Sequence, residues 1–120
     1  MKCLFFVFTY IKNSKIFFTT GYVWDTPEQV EAIEHALEVA RKNKVKVALD
    51  VADPFVVSRS QNRFRELFRS TVSLVFANAQ EAEMLVGSTG EKAARTLGEQ
   101  VELAVVKDGA HGAWVCHQGQ

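Results

Sequence analysis

The stretch Val72-Ser73-Leu74-Val75-Phe76-Ala77-Asn78-Ala79-Gln80-Glu81-Ala82-Glu83-Met84-Leu85-Val86 changes character at Asn78. Before it, Val72–Phe76 is the short apolar run of a buried strand. After it, Ala79–Val86 reads as a helix. Asn78, with Glu81 three residues later, has the form of a capping box that would start that helix. A strand passing through a capped turn into a helix is part of a βαβ unit, and a series of such units implies a parallel sheet.

The same alternation continues on both sides. Upstream, Val45-Lys46-Val47-Ala48-Leu49-Asp50-Val51 reads as a strand running into an Asp53-Pro54 turn. A short amphipathic helix over Asn62–Arg69 would then bury Phe64, Leu67 and Phe68. Further back, Asp25-Thr26-Pro27-Glu28-Gln29 predicts a helix start, with Thr26 as cap, Pro27 at the first helical position and Gln29 closing a second capping box. Val30, Ile33, Leu37 and Ala40 recur at helical spacing, opposite Glu31, Glu34, Glu38 and Arg41, and Lys42-Asn43-Lys44 ends the helix. Downstream come a small helix around Glu91–Leu97, a strand at Leu103–Val106, the turn Asp108-Gly109-Ala110-His111-Gly112, and a strand at Ala113–His117. The expected fold is a mostly parallel sheet covered by helices on both faces, with right-handed crossovers. Val47, Leu49, Leu74, Phe76 and Val105 should be buried. No helix follows to cover the last strand, as in a domain cut short.

Residues 1–20 stand apart. Five of the nine phenylalanines (Phe5, Phe6, Phe8, Phe17 and Phe18) fall there. The opening resembles a secretory signal, but its apolar run breaks at Lys12-Asn13-Ser14-Lys15 and no small-x-small cleavage site follows. It is too short to span a bilayer. A β-hairpin or a pair of buried strands fits it, as does a segment foreign to the fold. The expected organisation is an apolar N-terminal segment at 1–20 and one α/β domain at 21–120.

Composition narrows the function. At 120 residues the chain is one domain or a piece of one, and 48% hydrophobic content is ordinary for a packed core. Fourteen basic and fourteen acidic residues give no net charge, which argues against a nucleic-acid surface. Cys3 and Cys116 lie far apart in no metal-ligand spacing, so they read as thiols of a reducing, cytoplasmic compartment. No membrane partner is indicated.

Ligands of parallel sheets sit beyond the carboxyl ends of the strands. Three places qualify: Asp50 and Asp53, the segment Phe76–Glu81, and Lys107–Gly112. A capping box alone explains the spacing of Asn78 and Glu81. An amide and a carboxylate at a helix N-terminus also suit hydrated magnesium next to a phosphate. Gly109 and Gly112 fit a turn needing positive φ, or a loop whose backbone N–H groups approach a phosphate. Lys107 could add charge. His35, His111 and His117 are scattered and make no metal site. Trp24 and Trp114 read as packing residues.

Phe76-Ala77-Asn78-Ala79-Gln80-Glu81-Ala82-Glu83-Met84-Leu85 resembles the Asn-x-x-Glu segment of the ribokinase-like (PfkB) sugar kinases. Val105-Val106-Lys107-Asp108-Gly109-Ala110-His111-Gly112 is similar to their ATP-contacting Gly-x-x-Gly turn. Ala48–Val56 is similar to the Ala-Pro-Phe stretch of the adenosine kinase branch, and Gly21-Tyr22-Val23-Trp24-Asp25 resembles the strand end before it. The resemblance implies a ribokinase-like three-layer α/β/α fold, here truncated. It implies an ATP-dependent transfer of phosphate to a hydroxymethyl group of a sugar or nucleoside. Asn78 and Glu81 would order Mg2+ and its waters, while Lys107, Gly109 and Gly112 would contact ATP. The family usually has Thr where Lys107 stands. Its Gly-Ala-Gly-Asp motif, which supplies the catalytic base and anion hole, would lie past Gln120, and its N-terminal sugar-binding segment and lid are missing. No residue here takes the catalytic role, and the chain is expected to be inactive alone. The alternative is a non-catalytic α/β binding or interaction fragment. Substrate identity and oligomeric state are not legible.

Overall fold

The computed structural model describes residues 8–120. Five strands form one sheet in chain order: β1 (Ile16–Thr20), β2 (Lys46–Asp50), β3 (Val72–Asn78), β4 (Leu103–Lys107) and β5 (Ala113–His117). β1 to β4 are parallel, as the βαβ reading expects, and β5 returns antiparallel on β4 through the Gly109–His111 turn. The crossovers are α1 (Pro27–Lys42), α2 (Pro54–Ser70), and the pair α3 (Ala79–Val86) and α4 (Gly90–Gly98).

Strand order decides where the helices go. Neighbouring parallel strands joined by right-handed crossovers all send their helices to the same face. Strand side chains alternate between faces, and the alternation here divides the sheet. Phe17, Thr19, Val47, Leu49, Val75, Ala77, Ala104, Val106 and Cys116 belong to the helix-covered face, and all but half-buried Phe17 are buried. Phe64, Leu67 and Phe68 of α2 and Ile33, Leu37 and Ala40 of α1 complete that core. Val47 and Leu49 are buried as expected. Leu74, Phe76 and Val105 are only half-buried, because they point to the opposite face, where no helix of the described residues lies. The described residues therefore supply the sheet and one helical layer of the expected three-layer α/β fold, truncated as the sequence reading has it.

Four local readings change. The helix expected at Asn62–Arg69 begins at Pro54, with Asp53 as its cap: the Val56 amide donates to Asp53 Oδ1 at 2.9 Å. Proline at the first helical position is favourable there because its missing N–H is not needed. Ser60 leaves helical geometry and kinks the helix. At α1, Thr26 makes no side-chain cap, so the second capping box does not form; backbone bonds from Gln29 and Val30 to the Thr26 carbonyl start the helix instead. Residues 8–12 are helical and β1 pairs in parallel with β2, so this part of the N-terminal segment is not a hairpin, and Ile16–Thr20 joins the main sheet. Residues 1–7, with Cys3, lie outside the described residues. Lastly, β5 is not bare on both sides. α4 packs on it so closely that a Cβ at Gly98 would lie 2.4 Å from Cys116 Sγ.

Candidate functional site at the carboxyl ends of β2, β3 and β4

Asn78 ends β3 and caps α3 at once. The Glu81 amide donates to Asn78 Oδ1 and the Asn78 amide donates to Glu81 Oε1, both at 2.8 Å, so the box predicted from sequence is closed in both directions. Glu81 is only 2% exposed. Burial pushes its carboxyl above the ordinary value; the Asn78 amide and Lys107 oppose the shift, and Asp50 and Asp53 reinforce it. The other end of α3 is held by α2. Arg65 donates to the carbonyls of Leu85 at 3.1 Å and Met84 at 3.3 Å, and Gln61 donates to Met84 as well.

Register brings the other segments alongside. Asn78 pairs with Lys107 across β3 and β4, and Asp50 pairs with Phe76 across β2 and β3. Asp50, Asn78 and Lys107 thus share a face, and the Lys107 ammonium reaches across β3 to lie 3.8 Å from Asp50 Oδ2. Both groups are partly exposed, so the pair is worth roughly 0–1 kcal/mol. Asp50 Oδ1 also accepts from the Ala52 amide at 3.0 Å, where the chain turns sharply with Ala52 at a φ of 84°.

Beyond Lys107, Gly109 and Gly112 have φ of 55° and 93°, values that favour glycine, and open space surrounds both. The turn is closed by bonds from the amides of Asp108, His111 and Gly112. All three expected places therefore converge, through Asp50, Asn78 and Lys107, and the glycine turn continues from Lys107. Asp53 is used differently. Its carboxylate is held below the ordinary range, first by the Val56 amide and then by the Tyr22 hydroxyl. Tyr22, in turn, is raised by that bond. Sequence reading passed over Tyr22, which carries no spacing signal. The pairing of Thr20 with Asp50 brings it beside Asp53.

The remaining candidates are structural. Trp24 donates to Glu34 at 2.9 Å and stands edge-on to Phe64, a packing role as expected. His35 rests against Phe8, while His111 and His117 are exposed. A wide polar groove between α1 and α2, lined by Glu31, Glu34, His35 and Arg63, reaches Ser70 and Thr71 at the start of β3 and not its carboxyl end.

Among the described residues no group of three His, Cys, Asp or Glu side chains could cage a metal ion. The donors at Asn78 and Glu81 are already engaged with backbone. They fit a hydrated magnesium held through its waters, the mode this ion favours, rather than a protein cage. No helix of the described residues is long and apolar enough to cross a membrane.

Comparison with known proteins agrees with the fold. The profile of the pfkB family carbohydrate kinases matches residues 2–120. No curated protein matches the chain. Among solved structures, the adenosine kinase from Sinorhizobium meliloti is 32% identical with a TM-score of 0.84, over 94% of this chain and 35% of that one. A probable sugar kinase from Rhizobium etli CFN 42 is 29% identical with a TM-score of 0.82, over 92% of this chain and 34% of that one. A protein assigned as Ribokinase II from E. coli, in complex with ATP and Mg2+, is similar in fold, with 19% identity, a TM-score of 0.75, and coverage of 94% and 38%. The chain thus spans little more than a third of the length of these structures.

Proposed function

The chain belongs to the pfkB family of carbohydrate kinases, and from that premise we propose that it forms the magnesium- and phosphate-facing part of an ATP-dependent kinase. The acceptor would be a hydroxymethyl group of a sugar or a nucleoside. The adenosine kinase branch is favoured by the 32% identity to the Sinorhizobium protein. The observation that carries the reading is the convergence of Asn78, Glu81, Asp50 and Lys107 at the carboxyl ends of three adjacent parallel strands.

Each residue has a task in this reading. Asn78 and Glu81 hold the waters of Mg2+, with the box fixing both side chains before any ligand arrives. Magnesium, when bound, neutralises charge on the phosphates. The N-terminus of α3 adds partial positive charge on the same side. Lys107 exchanges its Asp50 partner for a phosphate oxygen, a small loss because the half-exposed pair is weak. Gly109 and Gly112 leave the turn open to the nucleotide, and the amides of Gly109 and Ala110 are the donors it has to offer. These 120 residues hold no Gly-Ala-Gly-Asp run. Without a base and an anion hole they bind nucleotide weakly and do not turn it over.

NMR titration with ATP, with and without Mg2+, tests this. Wild type should bind with a Kd on the order of millimolar, and more tightly with Mg2+. Glu81→Gln keeps the cap but removes the charge, and should lose the magnesium dependence. Identical magnesium-dependent shifts in both proteins would reduce Glu81 to a helix cap.

A further inference from the structure

Asp50 and Glu81 bring two carboxylates to the carboxyl rim of the sheet, and the chain supplies a cation of its own beside them. A third carboxylate, Asp53, is engaged by the Val56 amide at 2.9 Å and by Tyr22. Arg59 is engaged by Asp25, in two bonds of 3.0 and 2.6 Å. The cation that remains for Asp50 and Glu81 among the described residues is Lys107. Its ammonium lies 3.8 Å from Asp50 Oδ2, and its charge opposes the rise of the Glu81 carboxyl.

The path of the side chain matters. Lys107 pairs with Asn78 in register, and Asp50 lies one strand further on, opposite Phe76. To reach Asp50 the lysine crosses the end of β3, where Asn78 and Glu81 close their capping box. An ammonium is a compact point charge with three donors on a flexible stem. It therefore neutralises the carboxylates that a hydrated Mg2+ would otherwise neutralise, and it repels a second cation brought close to it.

We infer that Lys107 is a tethered counter-ion of the magnesium site, which keeps Mg2+ weakly bound until a phosphate draws the ammonium away from Asp50. The Lys107–Asp50 contact, with side chains 53% and 30% exposed, is weak enough to be exchanged. Asp50 stays in position when the lysine leaves, because its Oδ1 accepts from the Ala52 amide at 3.0 Å. Once released, Asp50 joins Glu81 in accepting hydrogen bonds from the waters of the metal. By linkage, phosphate then raises the affinity for magnesium, and magnesium raises that for phosphate by the same factor. The inference rests on the assignment of Asn78 and Glu81 to magnesium, and adds how this chain couples the metal to the nucleotide.

The test uses magnesium chloride alone, without nucleotide, titrated against the chain while the Asn78 and Glu81 amides are followed by NMR. Lys107→Met keeps an unbranched stem and removes the charge, and should tighten the Mg2+ Kd about tenfold over wild type, a usual size for such coupling. Lys107→Arg keeps the charge and should bind as weakly as wild type. Lys46→Met removes the same charge at the other end of β2, where Lys46 pairs with Glu102 at 2.9 Å, and should also match wild type. Wild-type affinity in Lys107→Met overturns the inference, as does equal tightening in Lys107→Arg or Lys46→Met. If Mg2+ moves these amides equally in all four proteins, the magnesium assignment stands and the coupling alone falls. If it moves them in none, the assignment falls and takes the coupling with it.

Discussion

The two faces of the sheet are built from the same kinds of residue and behave differently. On one, Leu49, Val75, Ala104 and Val106 are fully buried under α1 to α4. On the other, Leu74, Phe76 and Val105, their immediate neighbours along the same strands, are half-exposed. Strand propensity cannot account for this, because adjacent residues share it. Topology does: strands added in chain order with crossovers of one hand place every helix on one side. The faces should therefore differ sharply in how substitutions affect stability.

The largest effect belongs to the covered face. Phe64 is fully buried, meets Trp24 edge-on, and lies close to Gly21. Phe64→Ala should cost about 3–5 kcal/mol in urea unfolding, from lost transfer energy plus the cavity. Next is Gly98→Ala, whose new Cβ would meet Cys116 Sγ at 2.4 Å and Cys116 Cβ at 2.9 Å. Overpacking of this kind costs about 1–3 kcal/mol. Adding Cys116→Ala should restore part of the loss, since it removes the sulfur and leaves the Cβ approach. Full additivity of the two changes would show that the contact is not the cause.

Much of this architecture was legible in sequence. Val47 and Leu49, the strand at Val72, and the Asn78–Glu81 box follow from local patterns that the fold reinforces. The start of α2 was missed although Asp53-Pro54 obeys the rule that had been applied at Thr26-Pro27. The polar run Ser58-Arg59-Ser60-Gln61 hid the helical period, and the kink at Ser60 shifts its phase. The cap at Thr26 failed for a local reason: its side chain makes no bond to the helix, and the backbone suffices. Leu74, Phe76 and Val105 could not be told from buried residues, because strand order lies outside any local window. The approach of Lys107 to Asp50 depends on the same order. The place of Lys107, Gly109 and Gly112 just after a strand was legible, but only the register shows Asn78 and Lys107 side by side.

The site at the rim should respond at an intermediate level. Asn78→Ala removes a cap bond and should cost about 1 kcal/mol. Glu81 gives a pH signature. Its carboxyl is raised in the folded state, so the folded protein holds that proton more tightly than the unfolded chain does. The associated stability is present at low pH and lost as pH rises through the raised value. Glu81→Gln has no such titration. The stability of Glu81→Gln relative to wild type should therefore grow as pH rises above the ordinary carboxyl value of 4.5, and level off beyond the folded one. A difference that shrinks with rising pH would mean the carboxylate is stabilised in place, against the burial seen here. Asp25 and Asp53, both lowered, slope the other way in both proteins and cancel in the comparison.

The smallest effect is expected on the bare face, and it is the one that most sharpens the contrast. Val115 stands on β5, across from Val105, and is 55% exposed. Val115→Thr keeps the branched shape that suits a strand and replaces one methyl with a hydroxyl that water can reach. On a covered strand the same change would bury a polar group at a cost of roughly 1–3 kcal/mol. Val75→Thr, fully buried on β3, supplies that reference. Val115→Thr should change unfolding free energy by less than about 0.5 kcal/mol, as an exposed substitution does. The chemical change is the same at both sites, one buried on a central strand and one exposed on the edge strand, so equal costs would show that Val115 is covered in solution.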